Sequence, residues 1–158
     1  MTAWSPEKIA EVLGIGEELL DCAGVKLHLD KLFKFRSPGF LGAQQRELPH
    51  VEEVEHVDGV YRLGPGVYRI RYREVIKVPP NAMALAFPRS SLLRMGVTIY
   101  TAVWDPGYEG RGEGMLTVFN PFGIELEAGC QVAQLIFIEL DRPTKRVYRG
   151  AYFRENMV

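Results

Sequence analysis

The sequence predicts a mostly-β domain of sandwich or barrel type, preceded by a short helical segment. Three observations carry the prediction. Helix-start chemistry occurs near the N-terminus, within residues 1–22. Beyond it the apolar residues alternate with polar ones at strand period. Glycine and proline then punctuate the chain at the spacing of a many-stranded fold.

The elements follow in order. Ser5 is placed to cap a helix, Pro6 suits its first turn and Glu7 favours its positive end. Ile9, Ala10 and Leu13 share one face, and Gly14 and Gly16 close the element. A second helical turn is expected over Glu17–Cys22. Val25, Leu27 and Leu29 then alternate with Lys26, His28 and Asp30, which is strand periodicity. Tyr68, Ile70 and Tyr72 repeat the pattern between the turn signals Gly64-Pro65-Gly66 and Pro79-Pro80-Asn81. Further strands are expected over Met83–Phe87, Val97–Trp104, Met115–Phe119 and Val132–Leu140. The acidic run Glu52–Asp58 reads as an exposed loop. No repeat, linker or low-complexity tract interrupts the chain, so residues 1–158 read as a single domain.

Composition excludes several functions. The chain has 158 residues, 47% of them hydrophobic and 25% charged, which is ordinary for a globular domain. At this length roughly two-thirds of the unfolded surface can be buried, so folding needs no disulfide or structural metal. Nineteen Lys and Arg face twenty Asp and Glu, a formal net charge of −1 that argues against a general nucleic-acid binder. Cys22 and Cys130 lack CxxC spacing and read as buried thiols of a cytoplasmic protein. No apolar run approaches the roughly 20 residues of a membrane span, and the N-terminus lacks the apolar core of a signal peptide. His28, His50 and His56 show no metal-ligand spacing.

Three segments carry more than fold. In Phe87–Gly96, a short helix would bring its N-terminal donors, Ser90 and Ser91, together with Arg89 and Arg94, which is how a phosphate chain is held. The same residues also suit a Ser-capped surface helix. In Ala102–Gly112, a strand ends at Trp104 and a Gly- and Pro-rich turn presents Asp105, Tyr108, Glu109 and Arg111. Asp105 before Pro106 is either a turn former or a base, with Tyr108 as a flat platform. In Glu127–Phe137, Gln134 interrupts an apolar strand. A buried amide without partners costs on the order of 1–3 kcal/mol, so Gln134 is a satisfied core residue or a ligand contact.

Together PRSSLLRMGV, AVWDPGYEGRG and GCQVAQLIF, in this order and spacing, resemble the dUTPase and dCTP deaminase superfamily. The similarity runs from about Ala23 to Tyr152 and is nearest to the dUTPase branch whose sequences lie close to dCTP deaminase. The resemblance implies a distorted β-barrel or jelly-roll subunit in a homotrimer, with active sites between subunits. It implies hydrolysis of dUTP to dUMP and pyrophosphate, assisted by Mg²⁺ held through the triphosphate and water rather than by protein ligands. Asp105 then matches the aspartate that activates water, and Ala102 and Val103 match the hairpin whose backbone reads the pyrimidine. Tyr108 matches the aromatic packed on the deoxyribose. Ser90 and Ser91, with Arg89 and Arg94 beside them, match the residues on the phosphates, and Gln134 matches a glutamine near the phosphates and water. Tyr148 falls where the deaminase branch uses a C-terminal tyrosine, which makes residues 148–158 a candidate closing tail.

The departures are equally specific. Deaminases place a glutamate three residues before the asparagine that ends the next strand; here Asn120 is that asparagine and Thr117 holds the position. Glu113 lies nearby, on what reads as a Gly-rich turn in a region about two residues longer than the deaminase pattern. Lys26 stands where the family has an aspartate, which bears on any acidic contribution to the hydrated magnesium. The alternatives are a dCTP deaminase or bifunctional enzyme, and a non-catalytic nucleotide-binding member.

Overall fold

A computed structural model describes residues 2–158 of the chain. Helix α1 (Pro6–Leu13) starts where its capping residues place it: Ser5 Oγ accepts the Lys8 N–H and Gly14 ends the helix in the left-handed region at φ 64°. Ile9 is its fully buried contact with the core. The expected second turn is only the 3₁₀ segment Glu17–Leu19, because Leu20–Asp21 leave it to pair with Val25 and Gly24.

Besides several strands of two or three residues, the remaining elements are strands β1 (Gly24–Phe35), β2 (Val60–Leu63), β3 (Gly66–Tyr72) and β4 (Ala82–Pro88), helix α2 (Ser90–Arg94), and strands β5 (Val97–Tyr100), β6 (Glu113–Val118), β7 (Ile124–Glu127) and β8 (Gln131–Glu139). The main sheet runs β4–β8–β1–β3–β6–β5, antiparallel at each pairing. It curls on itself. Beyond β5 the chain returns to β4, where Ala84 and Trp104 exchange backbone hydrogen bonds of 3.0 and 2.9 Å. The result is the distorted half-barrel expected of this mostly-β chain, with β2 and β7 forming a separate pair.

The core lies inside the curl. Val25, Leu27, Leu29, Ile70, Tyr72, Leu116, Leu135 and Phe137 are all buried. Burial of such side chains contributes about 1.5–3 kcal/mol each, before the cost of ordering them. Register shifts occur between Leu29 and Lys31 on β1 and between Gln131 and Ala133 on β8. Such bulges bend the sheet and switch faces, which is why Leu32 and Phe33 are both buried after the clean alternation of Val25–Leu29. Gly24, at φ 110°, has no room for a side chain: a Cβ there would lie 2.2 Å from the Leu135 carbonyl oxygen.

Four expectations need correction. Cys22 is exposed, because it occupies the tight turn between Asp21 and β1; Cys130 is half-buried and both thiols are free. The acidic run begins as a strand, not a loop. Val51–Glu53 pairs with Phe33–Phe35, and its charges face Lys31 and Arg36 at 2.9 and 2.6 Å. Pairing in the strand expected over Val97–Trp104 stops at Tyr100, leaving Ala102 and Val103 as exposed loop. Glu113 is the first residue of β6, opposite Arg71, rather than part of a turn.

Candidate active site

The loop from Thr101 to Gly112 is built by close backbone approaches. Tyr108 N–H closes a turn on the Asp105 carbonyl at 3.0 Å, and Gly107 N–H donates to Val78 at 2.8 Å. Gly107 adopts φ 85°, a conformation natural to glycine. A side chain at Gly112 would fall 2.4 Å from the Trp104 ring, so glycine lets the indole lie flat under the loop. Trp104 is 6% exposed and meets the Tyr108 ring edge-on at 5.2 Å.

This loop forms one wall of a cavity of about 520 Å³. Ala102, Val103, Trp104, Asp105 and Tyr108 of the loop line it together with Arg69, Glu113 and Gly114 of the sheet and Tyr148, Tyr152 and Glu155 of the tail. Phe35, Leu48 and Pro49 complete it. Asp105 is exposed at its edge, and among the described residues its carboxylate makes no hydrogen bond to protein. That leaves both oxygens available to accept a proton.

Tyr108 is not a free platform. Its ring is 7% exposed and its hydroxyl donates to Glu155 Oε1 at 2.8 Å. Burial, and secondarily the Glu155 charge, push the phenol well above its usual range. Glu113 is held by Arg69 and Arg71, each with Nε 3.1 Å from a carboxylate oxygen. The Arg69 N–H does not point at that oxygen and finds no other partner. Asn156 Nδ2 donates to Glu113 at 3.3 Å.

The sequence-derived residues fall into two groups. Ala102, Val103, Asp105, Tyr108 and Tyr148 share the cavity. Arg89, Ser90, Ser91, Arg94 and Gln134 do not line it. The first four stand exposed on and before α2, where Arg89 occupies the N-cap position and no side chain caps the helix, so Ser90 is not its cap. Gln134 is half-buried on β8 and satisfied by donating its amide to the Ala23 carbonyl.

A family model described as "dCTP deaminase-like" matches residues 6–140. The chain belongs to the dCTP deaminase-like family. A "Probable deoxyuridine 5'-triphosphate nucleotidohydrolase" of Aeropyrum pernix is 41% identical over 146 residues, 92% of each chain. The "Deoxyuridine 5'-triphosphate nucleotidohydrolase" of Methanocaldococcus jannaschii is 42% identical over 140 residues, 86% of this chain and 88% of that one. The crystal structure of 2'-deoxycytidine 5'-triphosphate deaminase from Agrobacterium tumefaciens shares the fold, with a TM-score of 0.66 at 18% identity. That match covers 85% of this chain and 47% of the other.

In this dCTP deaminase-like chain, Thr117 is buried between Thr98 and Val67 and does not line the cavity, whereas Glu113 does. Sequence reading missed Glu113 as a pocket residue, along with Arg69, Tyr152, Glu155 and the 35–49 hairpin. The spacing Arg69-x-Arg71 on one strand face was the available signal; nothing local marks Glu155.

The tail folds against the loop of its own chain. Arg154 N–H donates to the Glu109 carbonyl at 2.7 Å, Arg111 N–H to the Glu155 carbonyl at 3.1 Å, and Asn156 Nδ2 to the Arg111 carbonyl at 3.0 Å. Arg46 of the hairpin lies over the Tyr152 ring at 5.2 Å. Burial holds the Glu155 carboxyl above its usual range; the Tyr108 hydrogen bond opposes this and Glu113 adds to it. A docked carboxyl that binds its proton more tightly than the free tail makes docking strongest in acid. Docking weakens as pH rises through the raised value. Hydrogen exchange of residues 150–158 is expected to be slower at pH 5 than at pH 8 after correction for intrinsic rates, and Glu155→Gln to abolish the difference. Equal protection of the native tail at both pH values would contradict this.

Proposed function

We propose that this protein hydrolyses dUTP to dUMP and pyrophosphate, with Asp105 activating the attacking water. The observation that carries the reading is an unengaged carboxylate at the edge of a cavity walled by Ala102, Val103 and Tyr108, in a chain whose full-length relatives are named for that reaction. The exposed backbone of Ala102 and Val103 offers donors and acceptors to a pyrimidine edge. Tyr108 and Tyr148, 6.0 Å apart, form the apolar wall against which the deoxyribose packs. Asp105 accepts a proton from water as its oxygen attacks phosphorus, and pyrophosphate departs.

The triphosphate carries about four negative charges, which arginines and a metal must neutralise first. Among the described residues no group of three or more His, Cys, Asp or Glu side chains is placed to hold a metal. We place magnesium on the phosphates with its water shell, since Mg²⁺ keeps several waters and few protein ligands. When bound, the ion would withdraw charge from the phosphates; Arg89, Ser90, Ser91, Arg94 and Gln134 hold them in place.

Those five residues do not line the cavity, which supports a site completed by a second copy of the chain. We therefore read the enzyme as a homotrimer of single-domain subunits, each site taking Asp105 from one subunit and the phosphate residues from another. No described helix is long and apolar enough to cross a membrane, and two free cysteines suit a reducing cytoplasm. Pyrophosphate release from dUTP tests the activity. Sedimentation is expected to give three times the 17.9 kDa chain mass. Mixing two inactive variants, Asp105→Asn and the double variant Arg89→Ala/Ser90→Ala, is expected to restore part of the turnover after subunit exchange. A fully active monomer would defeat the shared site.

Deamination of dCTP is the second reading, favoured by the presence of Glu113 in the cavity lining.

A further inference from the structure

Lys26 lies on β1 with Gln134 of β8 as its Cα partner, and Gln134 in turn faces Phe87 of β4, two residues before Arg89. Paired residues of an antiparallel sheet share a face. Lys26, Gln134 and the chain entering α2 therefore meet on one outer rim of the sheet, away from the Asp105 cavity. The Lys26 Nζ donates to the Glu18 backbone carbonyl at 3.1 Å. Among the described residues no carboxylate lies within ion-pairing distance of Lys26, Arg89 or Arg94.

An acid that feels both Lys26 and Arg89 is engaged elsewhere. Asp21 accepts from Gln131 Nε2 at 3.0 Å and from the Cys22 N–H at 2.8 Å. Those hydrogen bonds, the Gln131 one first, keep its carboxyl below the usual range, with smaller contributions from Lys26 and Arg89. The rim thus gathers cations that form no ion pair among the described residues, beside an acid already satisfied by hydrogen bonds. A lysine tied to one neutral carbonyl can turn its ammonium outward at the cost of a single ordinary hydrogen bond. Its compact charge and three donors suit phosphate oxygens.

We propose that Lys26 binds the terminal phosphates of the nucleoside triphosphate beside Arg89, Ser90 and Gln134, supplying from the protein part of the positive charge that a divalent ion otherwise provides. The proposal rests on the dUTP reading above. It assigns to Lys26 a contact with the β- and γ-phosphates and none with the nucleoside, so its loss should weaken a triphosphate and spare a monophosphate.

Calorimetric titration of the whole protein with the non-hydrolysable α,β-imido analogue of dUTP and with dUMP, each with magnesium and with EDTA, tests it. Lys26→Ala is expected to weaken the analogue roughly ten- to hundredfold in EDTA, as for loss of a charged hydrogen bond. The loss should be smaller with magnesium, dUMP affinity should change less than about twofold, and Lys26→Arg should recover most of the affinity. Unchanged analogue binding by Lys26→Ala in EDTA would overturn the assignment. So would equal losses for analogue and dUMP, which mark a general structural effect. A native protein that binds neither compound overturns the dUTP reading itself and this contact with it, whereas native binding with an indifferent Lys26→Ala overturns only the contact.

Discussion

Asp105→Asn is expected to lower kcat for dUTP hydrolysis by about 10²–10⁴-fold, the usual contribution of a positioned general base, while nucleotide affinity and thermal midpoint stay near native. The carboxylate is exposed and makes no hydrogen bond to protein, so its replacement by an isosteric amide removes no structural contact. The turn it begins is held by backbone: Tyr108 N–H on the Asp105 carbonyl, and Gly107 N–H on Val78. Asparagine preserves both. What it cannot do is accept a proton from water near neutral pH. The kinetic signature is therefore a fall in kcat and kcat/KM together, with little change in the affinity of the imido analogue. Near-native kcat would make Asp105 a turn former, the plain reading of an Asp-Pro pair.

How much of this was legible in the sequence follows from how local each determinant is. The buried alternation of Val25, Leu27 and Leu29 is a property of five consecutive residues and needs no knowledge of their partners. The α1 caps are equally local. Gly112 announces a close approach, but that its neighbour is the Trp104 indole emerges only when the loop closes. Glu113 illustrates the limit. Flanked by glycines it reads as turn, yet six residues of pairing to β3 make it the start of a strand whose register puts its carboxylate between Arg69 and Arg71. The division of the site is likewise invisible along the chain. Arg94 and Ala102 are close in sequence, but β5 lies between them and carries the two groups apart. The tail is the least legible element, since Arg154 and Asn156 dock through main-chain and amide hydrogen bonds that no apolar pattern records.

Ammonia release from dCTP is expected to be at least about a thousandfold slower than pyrophosphate release from dUTP, within the range a missing acid–base group costs. Deamination needs a carboxylate that takes a proton from water and passes it to the ring and the leaving amine. At the position that resembles the deaminase glutamate, this chain has Thr117, a buried hydroxyl between neighbouring strands that does not reach the cavity. Glu113 does reach it, contrary to its reading as a turn residue. One of its oxygens nevertheless accepts from Arg71 at 3.1 Å and from Asn156 of the tail at 3.3 Å, and the other lies 3.1 Å from Arg69 Nε without a hydrogen bond. A carboxylate lodged between two guanidinium groups and a tail amide is not free to swing to a pyrimidine ring and a leaving amine. To serve both directions it would have to shed these partners, and the two arginines are anchored on the same rigid strand, one of them directly opposite Glu113. Measuring ammonia and pyrophosphate side by side from both nucleotides decides the matter. Ammonia from dCTP at a rate comparable with dUTP cleavage, lost on Glu113→Gln, would show that the clamp opens and that Glu113 performs the proton transfers Thr117 cannot.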